Sequence, residues 1–216
     1  MKTEININDN NCCKIVLEDG GTVDVLANQQ ISIRDGKTYI DGIPLNDYVK
    51  TKKINKKYKL TDETIEYDGV TLYRIEALRD FGDVNAGDKG GFVQSELNLS
   101  QEGNCWIYSK AMVYDEAMIF GNAKVYGKAV VSGNAKVYDE AEVFFRAKVY
   151  GEAKVYGNAW VCKEAELFGN AKVYDEAVIS GNAKVYDEAI ICGNAVVNGV
   201  AKVYGEVIMR TDCRIY

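Results

Sequence analysis

The residue types that most often run enzyme chemistry are thinly represented in this chain. It contains no histidine, which removes the usual general base, the usual proton shuttle and the commonest metal ligand together. Carboxylates come in adjacent pairs: Asp115-Glu116, Asp139-Glu140, Asp175-Glu176 and Asp187-Glu188. Neighbouring side chains at a turn splay apart, unlike the converging pair a hydrolase needs, so these read as solvated corner residues. Gly87-Asp88-Lys89-Gly90-Gly91 is glycine-rich but lacks the Gly-x-x-x-x-Gly-Lys-Ser/Thr spacing of a phosphate loop. The six cysteines show no Cys-x-x-Cys pairing, so neither a zinc ribbon nor a disulfide scaffold fits, and free thiols are expected. An enzyme site would need polar groups converging around Asp80, Asp83, Asp88 and Lys89. No catalytic residue, metal site or cofactor is expected from these patterns.

The element that must position any site is a repeat. From Cys105 to Tyr216 the chain runs in sixes without insertion: small, variable, aliphatic, often aromatic, then two turn residues. Ala-Lys-Val-Tyr-Gly-Asn and Ala-Lys-Val-Tyr-Asp-Glu are the common forms, and the small position is alanine sixteen times running, Ala111 to Ala201. In a strand, alternate residues point to opposite faces, so Ala and Val face one way and Lys and Tyr the other. Gly-Asn and Asp-Glu supply the bends. Three such units close an 18-residue triangular coil, and about six coils stack roughly 4.8 Å apart. A helix is excluded, because six-residue spacing drifts about 120° per repeat and leaves no apolar stripe.

Upstream, residues 1–49 predict a small β domain. Lys14–Leu17 with Val23–Leu26, and Ile31–Arg34 with Thr38–Ile40, are hairpin candidates. Residues 50–60, rich in lysine, read as a linker, and 61–104 as a capping region that closes the solenoid through a first irregular coil.

The repeat block resembles the hexapeptide-repeat, left-handed β-helix superfamily, which includes acyltransferases and γ-type carbonic anhydrases. The fold class is therefore all-β, a left-handed parallel β-helix, with the hand taken from the resemblance. The capping region carries Leu72, Arg74-Ile75, Ala77-Leu78, Asp80-Phe81-Gly82-Asp83-Val84, Gly87-Asp88, Gly90-Gly91-Phe92, Asn98-Leu99-Ser100 and Gly103-Asn104. With the Ala-Lys-Val-Tyr repeats behind it, this is similar to uncharacterised phage and prophage proteins. Both enzyme branches of the superfamily work through histidines that this chain lacks. The resulting expectation is a phage- or prophage-encoded, non-catalytic binding protein that blocks a host protein or sequesters a host ligand as a counter-defence. The alternatives are a virion or assembly scaffold, and a degenerate acyltransferase-like enzyme without the family histidine.

Taking every eighteenth residue gives the outward columns. The first sheet loses charge and bulk at Trp160, Cys162, Val178, Ser180 and Val196. With Ile190, Ile208 and Tyr216, these are interface candidates. The third sheet stacks Lys136, Tyr138, Lys154, Tyr156, Lys172 and Tyr174, a surface for a small anionic or nucleotide-like ligand. The last coil has no polar cap after Tyr216, which predicts a homo-oligomer: an end-to-end dimer from the open coil, or a trimer as the resemblance to the superfamily implies. The net charge of −6 argues against generic nucleic-acid binding. No apolar segment suits a signal peptide or membrane span, and a cytoplasmic location in a bacterial host is expected.

Overall fold

The structure, a computed structural model, describes residues 4–7, 13–16, 22–25, 30–34, 37–48 and 56–216. The chain divides into two compact units, Met1–Lys56 and Lys57–Tyr216. In the first unit, β1 (Glu4–Ile7), β2 (Cys13–Val16) and β3 (Thr22–Val25) form one antiparallel sheet. A second antiparallel sheet holds β4 (Ile31–Arg34), β5 (Lys37–Ile40) and β6 (Ile43–Pro44). Both expected hairpins form, with Ile15 opposite Val23 and Ile33 opposite Thr38.

The second unit is a parallel β-solenoid with three sheets. Sheet I has seven strands, from Trp106–Ile107 to Arg214–Ile215. Sheet III has six, from Met118–Ile119 to Ile208–Met209. Sheet II combines six rungs, from Met112–Val113 to Lys202–Val203, with three strands of the capping region. Register advances by 18 residues from rung to rung, as in Trp106 to Lys124 and Val125 to Val143.

The repeat explains this register physically. Alanines and aliphatics from Ala111 to Val197 are buried inside the prism, each valine contributing about 1.5–3 kcal/mol of hydrophobic stabilisation. The turn position must adopt left-handed backbone, which glycine and aspartate tolerate. Asp115, Asp139 and Asp175 sit there with φ of 56°, 57° and 59°. Their carboxylates accept hydrogen bonds from Gly133, Gly157 and Gly193 amides one coil on, at 3.0, 3.2 and 3.1 Å. The paired carboxylates are thus stitches between coils.

The capping region closes the first coil. β7 (Tyr58–Tyr67), β8 (Val70–Ala77) and β9 (Lys89–Val93) extend sheet II, β9 lying parallel to Met112–Val113. Gly90 and Gly91 are required by close approach, since a Cβ on either would come within 2.6 Å of another atom in Ile75, Ile107 or Ala111. That packing role accounts for the glycine-rich stretch without a phosphate. Buried Trp106 packs edge-on against Tyr58 and Phe81, with ring centroids 6.1 and 5.3 Å away. Asn98, also buried, donates to the Asp115 and Ala117 carbonyls at 2.9 Å each.

The expected linker 50–60 needs correction at its C-terminal end. Lys57 and Tyr58 are fully buried, and β7 starts at Tyr58. The Lys57 ammonium meets the carbonyls of Glu102, Gly103 and Cys105 at 3.3, 3.4 and 3.0 Å, and Cys105 Sγ at 3.2 Å. Burial holds the Lys57 pKa below its ordinary value. Residues 50–55 of the lysine-rich stretch lie outside the described residues.

Candidate functional site on sheet I

Sheet I is where polar and aromatic side chains converge. Its outward positions alternate along each rung, and rungs stack about 4.8 Å apart, so side chains 18 residues apart become neighbours. Tyr108 donates to Asp83 Oδ1 at 2.6 Å, and Lys124 Nζ lies 3.0 Å from Asp83 Oδ2. The hydrogen bond from Tyr108, with Lys124 beside it, holds the Asp83 carboxyl below the usual range. One rung on, Tyr126 donates to Glu142 Oε2 at 2.6 Å. Burial, then the Glu142 carboxylate, raises the Tyr126 pKa. The Tyr126 ring stacks on Phe144 at 4.8 Å, and Phe144 meets Trp160 edge-on at 6.0 Å.

Two clefts flank this aromatic line. On one side, Glu140, Glu142, Asn158, Trp160, Glu176 and Val178 line a cleft of ≈ 490 Å³. On the other, at the corner between sheets I and II, Gly127, Lys128, Phe145, Arg146, Lys163 and Glu164 line one of ≈ 480 Å³. One face of the prism therefore lies between an acidic cleft and a mainly basic one. Among the described residues, no group of three or more His, Cys, Asp or Glu is placed to hold a metal ion.

The four charged residues singled out in the capping region separate into different roles. Asp80 accepts from the Ala86 amide and Asp88 from the Asn85 amide, both at 2.8 Å. These bonds shape the turns of the capping region itself. Lys89 pairs with Glu63 at 3.1 Å. Only Asp83 of the four reaches the solenoid face.

Of the interface candidates, Trp160 is 47% exposed, and Val178 and Val196 are half-buried. Cys162 and Ser180, at 6% and 7% exposure, are not available to a partner. Their short side chains sink between neighbours, and the Cys162 thiol donates to Ser180 Oγ at 3.4 Å. Ile208 and Tyr216 are exposed, and Ile190 is half-buried.

On sheet III, Lys136, Lys154 and Lys172 pair in register. Tyr156 stacks between Tyr138 and Tyr174 at 4.9 and 4.8 Å. Both faces of that central ring are taken by its neighbours. A hydrogen bond with Cys192, reinforced by burial, pushes the Tyr174 pKa up to about 12. Sequence reasoning missed the clefts beside Glu142 and Phe145. The signal for the second was available: Phe145 and Lys163 break a turn column that is otherwise Ser109, Gly127, Gly181 and Gly199 at that corner.

The triangular solenoid and its hexapeptides support the hexapeptide-repeat superfamily as the class of fold. No family model matches the chain. It is similar to an uncharacterised acetyltransferase of Escherichia coli (strain K12), YdcK, at 42% identity over 73 residues. The match covers 30% of this chain and 22% of that protein, so the chain spans about a fifth of the relative's length. This finding overturns the expectation of a non-catalytic, phage-encoded binder and points toward an acyltransferase-like family. That expectation leans on the missing histidine, but proton transfer needs only a positioned base, and carboxylates serve.

Proposed function

We propose that the chain is an acyltransferase-type enzyme that moves an acyl group from a thioester donor to an amine or hydroxyl acceptor. The observation that carries this reading is Glu142, held by the Tyr126 hydroxyl at 2.6 Å at the edge of a cleft flanked by Trp160. Similarity to a protein named as an acetyltransferase supports the reaction class.

In this reading the acceptor lies against Trp160, whose indole gives an apolar floor. The Glu142 carboxylate takes the proton from the acceptor nitrogen or oxygen as its lone pair attacks the thioester carbonyl. The carbon–sulfur bond then breaks and the thiolate leaves. Tyr126 acts on Glu142 rather than on substrate. Its hydrogen bond fixes the carboxylate's rotamer, which matters because a misaimed base loses most of its effect.

The test is release of free thiol from acetyl-coenzyme A against a panel of amines and sugars. Glu142→Gln should lower turnover by about 10²–10⁴-fold without moving the unfolding midpoint, while Glu206→Gln, elsewhere on the prism, should leave turnover unchanged. Thiol release that persists in Glu142→Gln would remove Glu142 from the mechanism. No release with any acceptor would remove the reaction.

A further inference from the structure

The corner between sheets I and II departs from the rest of the solenoid in three independent ways. The first is backbone strain. From Gly127 to Gly199, the left-handed turn positions hold glycine or aspartate everywhere except Phe145 and Lys163, at φ 60° and 61°. These two are neighbours in one corner, one coil apart. A Cβ in this region crowds the following carbonyl, and such strain clusters at functional sites.

The second is exposure. Phe145 leaves 58% of its surface in solvent, with its ring 5.2 Å from Phe144. A strained position filled by a bulky ring left mostly in solvent gains the fold little beyond its tilted contact with Phe144. The third is charge. Over the same coils, the other two corners carry only glycine, asparagine, aspartate and glutamate: Gly133-Asn134, Gly151-Glu152 and Gly169-Asn170 on one, Asp139-Glu140, Gly157-Asn158 and Asp175-Glu176 on the other. This corner carries Lys128, Arg146 and Lys163. Arg146 pairs with Glu164 at 3.1 Å, whereas Lys128 and Lys163 have no ion-pair partner among the described residues.

We infer that this corner binds a phosphorylated nucleotide, its base stacked on Phe145 and its phosphates held by Lys128 and Lys163. The rungs place one ammonium on the coil before the ring and one on the coil after it, about 5 Å away along the prism. A flat π-face between two cations fits a ligand that is both aromatic and anionic. The cleft of ≈ 480 Å³ falls in the range of small-molecule sites. Arg146 has further N–H donors beyond the one that meets Glu164. This proposal goes beyond acyl transfer and does not depend on it, since nucleotide binding is read without turnover.

The experiment is calorimetric titration of the full chain with ADP, adenosine 3′,5′-bisphosphate, inorganic pyrophosphate and uncharged adenosine, at two salt concentrations. The two nucleotides should bind saturably and more weakly at high salt, and pyrophosphate and adenosine at least tenfold more weakly than either. Phe145→Gly and Lys163→Gly restore the regular turn residue, so both should fold with an unchanged or higher unfolding midpoint and yet lose nucleotide affinity at least tenfold. Displacement of ADP by acetyl-coenzyme A would identify the ligand as the nucleotide part of the donor. Binding that acetyl-coenzyme A leaves untouched would identify a free nucleotide. The proposal is overturned if neither nucleotide binds at millimolar concentration, if Phe145→Gly binds as well as the parent chain, or if a single-stranded oligonucleotide outcompetes both mononucleotides.

Discussion

Sheets I and III are built from the same hexapeptide and share one interior, yet their outer faces differ in kind. On sheet III the repeat runs nearly unbroken, and its rings satisfy one another: Phe120, Tyr138, Tyr156 and Tyr174 stack at 4.7, 4.9 and 4.8 Å. On sheet I the ladder breaks after Phe144. Its hydroxyls turn to carboxylates instead, Tyr108 to Asp83 and Tyr126 to Glu142. A repeat that satisfies its own polar and aromatic groups leaves little for a ligand. Chemistry becomes available where the ladder stops and unlike side chains meet.

The sharpest test of this contrast is that it must vanish on the inside. Val155, on sheet III, and Val161, on sheet I, are both fully buried. Aspartate at either would place a carboxylate in an apolar prism with no partner. Burying an unpaired charge costs several kcal/mol even after relaxation, a large part of a typical 5–15 kcal/mol stability. Both variants should be unfolded or lose cooperativity at 25 °C by circular dichroism. If one folds normally, the two inner walls are not equivalent and the comparison of outer faces loses its common baseline.

Alkali should come next in size. Tyr58, Tyr108, Tyr114, Tyr126, Tyr138, Tyr150, Tyr156 and Tyr174 all have pKa values above the ordinary 10.0, chiefly through burial, with Tyr174 led by its hydrogen bond to Cys192. The folded state keeps these phenols protonated while the unfolded chain ionises at about pH 10, so stability is full below that pH and falls above it. Lys57 works in the other direction: its pKa is lowered from 10.5, so between its folded value and 10.5 rising pH favours the fold. One lysine opposes eight tyrosines, and the unfolding midpoint should drop steeply between about pH 10 and 11.5. Thermal melts across that range, with phenolate absorbance followed in parallel, check it. A flat midpoint would mean that the tyrosine ladders open without unfolding.

On sheet III, Tyr156→Ala should cost about 1–3 kcal/mol, because it removes two stacked contacts worth roughly 0.5–1.5 kcal/mol each. Denaturant titration measures the loss. The same substitution at Tyr204, which ends its ladder with the one partner Tyr186 at 5.2 Å, should cost about half as much. Equal losses would show that stacking is not what holds the outer rings.

The solenoid was legible because its information is periodic and local. Alanine, valine and the turn pair recur in step with a structural period, and nothing distant is needed to place Val155 inside. The capping region was less legible, since its residues make contacts 17 to 48 positions away. Asn98 caps carbonyls at Asp115 and Ala117, and Lys57 caps those around Cys105; Asn98 stands in the capping-region motif but nothing near it in sequence names those partners, and Lys57 reads as part of a linker. The candidate site was legible only as a break. Column reading finds Trp160 but misjudges Cys162 and Ser180, because an outward position says nothing about whether taller neighbours bury a short side chain. It also gives no role to Phe145, because it treats corners as punctuation and does not inspect them column by column.

The smallest expected effect returns to Trp160. It is 47% exposed, and its one aromatic contact is edge-on to Phe144. Trp160→Lys should therefore shift stability by no more than about 0.5 kcal/mol, the usual range for surface positions. Yet it would replace the apolar floor of the cleft beside Glu142 with a cation among Glu140, Glu142 and Glu176. An ammonium there would pair with the carboxylate proposed as base and occupy the space proposed for the acceptor. Thiol release should fall at least tenfold while denaturant midpoints stay level with the parent chain. Tyr156→Ala on sheet III should give the opposite pattern, a clear loss of stability with unchanged turnover in the surviving folded fraction. If Trp160→Lys is as destabilising as Tyr156→Ala, sheet I is a second structural ladder, and its broken pattern marks no site.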